Sequence, residues 1–385
     1  MDKYPLLRKG LSVGIILLFV GTCIIPAIAE DIEKPLPSSR GNWLYVGGNG
    51  PGNYTKIEDA IDNASDGDTV FVYNDSSPYY ENTIVINTSI SLIGENKNTT
   101  IIDGGGWSYS VIQIIASDVK ISGFTIQNNS LDTRCTGILI RDPGGKIVRN
   151  TNISDNIFID TANAIMEIKT RHSLISKNLI QSGGLHNNTV FGISSAFASS
   201  TIKDNIILNP RFIGIDAQFT HCLIEGNIIQ NGSQPTSSFG INQRVCWNKI
   251  IDNEITNFMF ALTVEDGFAI ISQNNISDAK NGITIDSMQI PTPFSLITRN
   301  SISNCEHGLM LSKTYGTFIK ENNFIHNNIS AMFYRGIGHF WIRNYWDDWD
   351  GQGPMVIKGY KGLVEFDWHP ALQPYDIGGI TGGKE

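Results

Sequence analysis

Apolar and polar residues alternate along this chain in bursts of a few positions, broken by Gly, Asn and Asp, and no window sustains the 3.6-residue rhythm of an amphipathic helix. The most regular burst is Ile-x-x-Asn-x-Ile. It spans Ile153 to Phe158, Ile175 to Ile180, Ile202 to Ile207, Ile224 to Ile229, Ile250 to Ile255, Ile271 to Ile276, Ile297 to Ile302 and Ile319 to Phe324. Its central residues are Asn156, Asn178, Asn205, Asn227, Asn253, Asn274, Asn300 and Asn322, continued by Asn344, at gaps of 21 to 27 residues. A second burst follows in each unit, as in Gly137-Ile138-Leu139-Ile140, Ala261-Leu262-Thr263-Val264 and Gly282-Ile283-Thr284-Ile285. Short β-branched strands at this period, with no helical segment between them, predict an all-β fold: a right-handed, single-stranded parallel β-helix of about ten coils. Ile fills the stacked interior. The Asn column predicts an internal amide ladder at a tight corner, where Asn also suits a left-handed backbone.

The ends depart from the repeat. Tyr54 to Ile61 carries a Thr55 to Glu58 capping box and apolar residues at 57, 60, 61 and 64, which predicts a short N-terminal capping helix. The first coils follow, through Ile101-Ile102-Asp103-Gly104. Asn344 to Trp349 and Phe366 to Pro370 concentrate aromatics where the repeat stops, which predicts an aromatic C-terminal cap, with a sugar-stacking platform as the functional alternative. The expected divisions are a signal peptide over 1–29, a linker over 30–42, N-terminal cap and first coils over 43–120, β-helix repeats over 121–344, a C-terminal cap over 345–377 and a flexible tail over 378–385.

Composition agrees with one long repeat domain. Of 385 residues only 17% are charged, and Ile makes up roughly one residue in seven, against average usage led by Leu and Ala. A net charge of -9 with no basic run excludes nucleic-acid binding by bulk electrostatics. Lys3, Arg8 and Lys9, the apolar run Leu11 to Ile25 and Ala27-Ile28-Ala29 have the order of a cleavable secretory signal; the alternative is a retained membrane anchor. The expected location is therefore secreted, extracellular or cell-surface, or periplasmic behind an outer membrane. Cys135, Cys222, Cys246 and Cys305 form no CxxC pair, and Cys222 with Cys246, about one repeat apart, is the pair to test for a disulfide. Asn-x-Ser/Thr sequons are numerous, including Asn53, Asn152 and Asn328.

On the residues from Tyr54 to Gly104 and the Ile-x-x-Asn-x-Ile coils, the chain resembles secreted right-handed β-helix proteins related to the periplasmic NosD family and the broader pectin-lyase-like superfamily. The resemblance runs from about Trp43 to Ile377, and its final Trp-Asp-Asp-Trp and Asp-Trp-His-Pro segments look like the ending of such repeats in prokaryotic surface proteins. It implies the fold and leaves function open, because that scaffold carries lyases, hydrolases, epimerases, esterases and adhesive rods. The Asp-Phe-Ile-Phe-Gly and Gly-Arg-Pro-Trp segments of pectinesterases are missing. Of the polygalacturonase motifs only Gly338-His339 has a faint counterpart. The NosD resemblance implies copper delivery. His172 and His221, however, share a column two coils apart, roughly 10 Å by strand spacing, too far to bind one ion together, so no metal site and no cofactor is assigned.

Aligning the second strands places Arg141, Lys169, Gln218, Arg244, Glu265, Asp286 and Arg335 at one outward position, and Glu167, Ser194, Asp216, Asn242, Thr263 and Thr284 at its neighbour. Glu265 and Asp286 would stand about 5 Å apart on adjacent coils with Arg244 before them, a spacing like the carboxylate pair of a retaining glycosidase. Glu167, Asp216, Asn242, Arg244, Glu265 and Asp286 are the candidate ligand-binding residues, and Arg244, Glu265 and Asp286 the catalytic candidates. The expected function is a non-catalytic scaffold whose lateral face binds polysaccharide or another cell-surface glycan. The rivals are a polysaccharide-active enzyme on the same face and a copper-associated accessory protein.

Overall fold

Each turn of chain contributes one strand to each of three parallel sheets, and the inward side chains of successive turns stack into columns. The computed structural model describes residues 41–377 apart from 107–108, 128–134, 182–190, 234–235 and 288–293. The leader read over 1–29 and the tail over 378–385 lie outside the described residues. One representative turn runs from Ser199–Lys203 in sheet I to Ile206–Leu208 in sheet II and Ile213–Gln218 in sheet III, then re-enters sheet I at Leu223–Glu225. Sheets I, II and III hold 14, 12 and 13 strands among the described residues, giving a β-solenoid of about 12 turns, more than the ten the repeat motif marks. The surplus is N-terminal. Strands from Trp43–Val46 to Ile101–Asp103 already pair in the parallel sheets although they lack the Asn motif.

The motif's two isoleucines explain the core. The first forms the inward column of sheet I, Ile153, Ile175, Ile202, Ile224, Ile250, Ile271, Ile297 and Ile319, ending on Trp341. The second forms that of sheet II, from Phe158 through Ile180, Ile207, Ile229, Ile255, Ile276 and Ile302 to Phe324 and Trp346. Every isoleucine in both columns is fully buried, and burying such a side chain stabilises by about 1.5–3 kcal/mol. The third inward column needs small residues where sheet II bends into sheet III. A Cβ on Gly214 would stand 2.6 Å from Gly240 O and 2.5 Å from Ile229 Cγ2.

Between sheets I and II runs the amide ladder. Asn227 is typical: its Nδ2 donates to Ile202 O at 2.9 Å and to Asn253 Oδ1 at 2.9 Å, while its Oδ1 accepts from Asn205 N at 3.1 Å and Asn205 Nδ2 at 2.9 Å. The ladder runs from Asn156 to Asn344 and ends on Asp367, whose Oδ2 accepts from Asn344 N at 2.8 Å and Asn344 Nδ2 at 3.0 Å. The left-handed backbone falls one residue before each of these asparagines, as at Asp155, Lys177, Asp204 and Asp252, with φ of 58°, 56°, 55° and 56°. Asn is at the corner for its side-chain amide.

The N-terminal helix α1 is Ile57–Asp62, and the Thr55–Glu58 capping box does not form. Its N-terminus is closed instead by Glu81, whose carboxylate accepts from Ile57 N at 2.6 Å and Glu58 N at 3.0 Å. At the other end sheet III finishes in an antiparallel hairpin of Met355–Gly359 with Val364–Asp367, and Trp346 stacks on Phe324 at 4.3 Å between ring centroids. Among the described residues no helix is long and apolar enough to cross a membrane.

Candidate functional site

The outer face of sheet III carries two side-chain columns. One runs Met166, Ser194, Asp216, Asn242, Thr263, Thr284, and the other Ile168, Ala196, Gln218, Arg244, Glu265, Asp286. Five of the six expected binding residues, Asp216, Asn242, Arg244, Glu265 and Asp286, share this face. Glu167 does not. The register aligns it with Ser195, Ala217, Gln243 and Val264, all inward and buried. The strand ends at Ile168, and Lys169, at φ 56°, already turns the corner toward sheet I. Aligning Lys169 with Gln218 shifts the strand by one residue, and a one-residue shift exchanges the faces. Inside the solenoid, Glu167 Oε1 accepts from Ser195 Oγ at 2.7 Å, and Oε2 from Thr170 Oγ1 at 2.8 Å and Ser200 Oγ at 2.9 Å. Those three hydroxyls replace the water the carboxyl gave up.

On the outer face the centre of the polar strip is Asp216, only 4% exposed. Asn242 Nδ2 donates to its Oδ1 at 2.9 Å and Gln218 Nε2 to its Oδ2 at 2.8 Å. Burial pushes the Asp216 carboxyl above its ordinary pKa, opposed by the two amide donors and the Arg244 charge. Arg244 Nε donates to Glu265 Oε2 at 2.9 Å. Glu265 and Asp286 are register partners, as the spacing requires, but they face different cations: Asp286 Oδ1 lies 3.9 Å from Lys313 Nζ. A run of Arg, Glu, Asp and Lys on successive coils therefore replaces the isolated carboxylate pair of the glycosidase comparison.

Four polar atoms of the strip are buried without a hydrogen bond among the described residues: Asn242 Oδ1, Thr263 Oγ1, Thr284 Oγ1 and Asp286 Oδ1. Buried polar atoms normally have partners, so these oxygens carry hydrogen-bonding capacity that the fold leaves unused. Beside them at the start of the same strands, Phe239 and Phe260 stack at 5.0 Å with ring planes 12° apart. The sequence reading passed over this pair, whose signal is Phe-Gly-Ile and Phe-Ala-Leu at one period's distance.

Three parallel sheets of about 12 turns have counterparts of known structure. The A-module of the Azotobacter vinelandii mannuronan C-5 epimerase AlgE4 matches with a TM-score of 0.56 at 14% identity, over 74% of this chain and 90% of that one. DFA-IIIase from Arthrobacter chlorophenolicus A6 without its lid, in complex with GF2, matches with a TM-score of 0.52 at 13% identity, over 79% and 94%. The chain folds as a parallel β-helix. A third counterpart, the GH136 lacto-N-biosidase from Eubacterium ramulus, has a TM-score of 0.50 at 10% identity, over 78% and 67%. Residues 220–359 of this β-helix match the family described as periplasmic copper-binding protein (NosD). No curated protein matches the sequence.

The NosD description raises copper, and the described side chains do not suit it. No three His, Cys, Asp or Glu among them gather into a set able to hold a metal ion. Cys135, Cys222, Cys246 and Cys305 are all free and buried, so the Cys222–Cys246 disulfide is not formed. Burial pushes the Cys222 thiol up to about 12 and Cys305 up to about 11, away from the thiolate that a metal binds. His172 is the extra residue of a bulge between Arg171 and Ser173, which removes it from the column of His221.

Proposed function

We propose that this β-helix binds carbohydrate along the outer face of sheet III, with Asp216, Asn242, Arg244, Glu265 and Asp286 as the polar contacts and the Phe239–Phe260 stack as an apolar edge. The row of buried oxygens on Asn242, Thr263 and Thr284, none with a hydrogen bond among the described residues, is the observation that carries the reading. Sugar hydroxyls both donate and accept, so an extended chain crossing successive coils would satisfy those atoms at the strand repeat of about 4.8 Å. The structural counterparts support this coarsely, since they are a mannuronan C-5 epimerase, a lacto-N-biosidase and a DFA-IIIase in complex with GF2. Export through the leader over 1–29 belongs to the same proposal, in line with the periplasmic description of the matched family.

A glycan array with the folded chain tests the reading. Retention of a defined glycan, lost in Asn242→Ala/Thr263→Val and in Glu265→Ala/Asp286→Ala, supports it. Equal retention by the wild type and both double variants contradicts it. One observation favours a second reading, a polysaccharide-active enzyme on the same strip: burial raises the Asp216 carboxyl while Glu265 is ion-paired to Arg244, so the strip holds carboxyls in unlike environments. Release of reducing ends or unsaturated products, abolished by Asp216→Asn, would separate catalysis from binding.

A further inference from the structure

Sheet III opens at its C-terminal end. Strand Ile329–Tyr334 is matched to its predecessor at five positions from Ile329 to Tyr334, but to Met355–Gly359 only through Met332 with Lys358 and Phe333 with Gly359. The edge from Ile329 to Ala331 therefore parts from the edge of Met355 to Ile357, whose other side is already bonded to Glu365, Phe366 and Asp367. The opening is a cavity of about 640 Å³, within the range of about 300–1,000 Å³ that ligand pockets occupy. Ser330 lines it at 3% exposure, and its hydroxyl has no hydrogen bond among the described residues.

The chemistry of the opening selects its occupant. Beyond those two pairs, Ile329 to Ala331 and Met355 to Ile357 run without register partners on the facing side, each stretch roughly 10 Å long at the strand rise. An extended backbone is the group that pairs with such an edge. Trp346 lies at the buried side, and the flexible thioethers of Met332 and Met355 line the walls, which suits an apolar side chain of variable shape. Lys358 and Lys361 oppose a single carboxylate, Asp348, so the lining carries a net positive charge. We propose that this opening receives a short extended peptide from a partner protein by strand addition, with one apolar side chain between Met332 and Met355 and one acidic side chain at the lysines. The site is separate from the strip on the coils of Asp216 to Asp286, and either proposal can fail alone.

Three probes test it by isothermal titration against the folded chain: acetyl-Thr-Val-Glu-Val-Thr-amide, its Lys analogue, and its form N-methylated at both Val residues. The expected result is saturable binding of the Glu peptide, about tenfold weaker for the N-methylated form, which loses two backbone hydrogen bonds. The Lys analogue should be weaker as well. Val356→Trp, at a position 42% exposed on the open strand, should fill the opening and abolish peptide binding while glycan retention on the array stays at the wild-type level. No binding of the Glu peptide, equal binding of the N-methylated form, or unchanged binding by Val356→Trp overturns the proposal.

Discussion

Replacing Asn227 with Ala removes one rung from the middle of the amide ladder. The variant leaves Asn205 N without its acceptor at 3.1 Å and takes from Ile202 O the amide that reaches it at 2.9 Å. Both groups are sealed inside the corner; Asn227 itself is fully buried. A buried polar group left unpaired costs about 1–3 kcal/mol, so two predict a loss of about 2–6 kcal/mol, a large share of the ~5–15 kcal/mol that holds an ordinary domain folded. Asn205 Nδ2 retains Ile175 O and Lys203 O, and Asn253 Oδ1 retains Asn227 N, so those neighbours add little. Asn227→Asp should be worse than Ala, because it points carboxylate oxygens at Ile202 O and Asn253 Oδ1 where a donor stood. The control is Gln230→Ala, which breaks only the partly buried bond to Glu254 and should stay within about 1 kcal/mol. Urea unfolding followed by circular dichroism measures the difference. Hydrogen exchange locates it, since stability in a stacked repeat is shared mainly between neighbouring coils. A loss below about 1 kcal/mol, with amide protection unchanged around Ile202 and Asn205, would refute the claim that the Asn column holds the coils together.

Other consequences follow from buried groups elsewhere. Glu167→Ala should destabilise by about 3 kcal/mol or more, because the hydroxyls of Thr170, Ser195 and Ser200 lose their shared acceptor; denaturant titration checks it, and a neutral effect would mean water takes the carboxylate's place. The Cys222 and Cys305 thiols, pushed up to about 12 and about 11 by burial, should be inert to a thiol reagent at pH 8 in the folded chain and react once urea unfolds it. His339 is buried with neither ring nitrogen hydrogen-bonded among the described residues, and desolvation lowers its pKa despite the nearby Glu365. Its folded pKa is below the unfolded value, so its contribution is complete above about pH 6.5 and falls as the pH drops from there toward the folded value. His339→Phe keeps a ring against Phe333 and should flatten that part of the stability–pH curve; an unchanged slope would assign the acid sensitivity to other groups.

The sequence made the interior legible because strict columns leave a strict period. Ile224 and Ile250 face inward for the same reason that they recur, and Asn227 and Asn253 repeat because each needs the other's amide. The corner from sheet III to sheet I has no such marker. Alignment by residue type put Glu167 with Asp216, whereas the strand ends at Ile168 and Met166 is the true neighbour of Ser194. An acid is also expected outside, and the hydroxyls that make a buried Glu167 tolerable lie three residues away at Thr170 and 28 and 33 residues away at Ser195 and Ser200. Glu81 was overlooked as the cap of α1 for a similar reason, since it reaches Ile57 from 24 residues along the chain. The strip around Asp216 was legible as a face. Its hydrogen bonds were not, because the register alone does not say that Asn242 turns its amide toward Asp216 and leaves its oxygen free.

The most direct test of the account is glycan retention by the wild type and by Asn242→Ala/Thr263→Val, a pair that removes two oxygens without hydrogen bonds among the described residues, gives up the Asn242 Nδ2 bond to Asp216, and leaves the ladder and the core columns intact. The account predicts that the wild type retains at least one extended glycan and that the variant, folded with the wild-type circular dichroism spectrum, loses retention by tenfold or more, about the value of two hydrogen bonds. Retention that is identical in the two proteins would show that the outer face of sheet III is not where this β-helix meets carbohydrate.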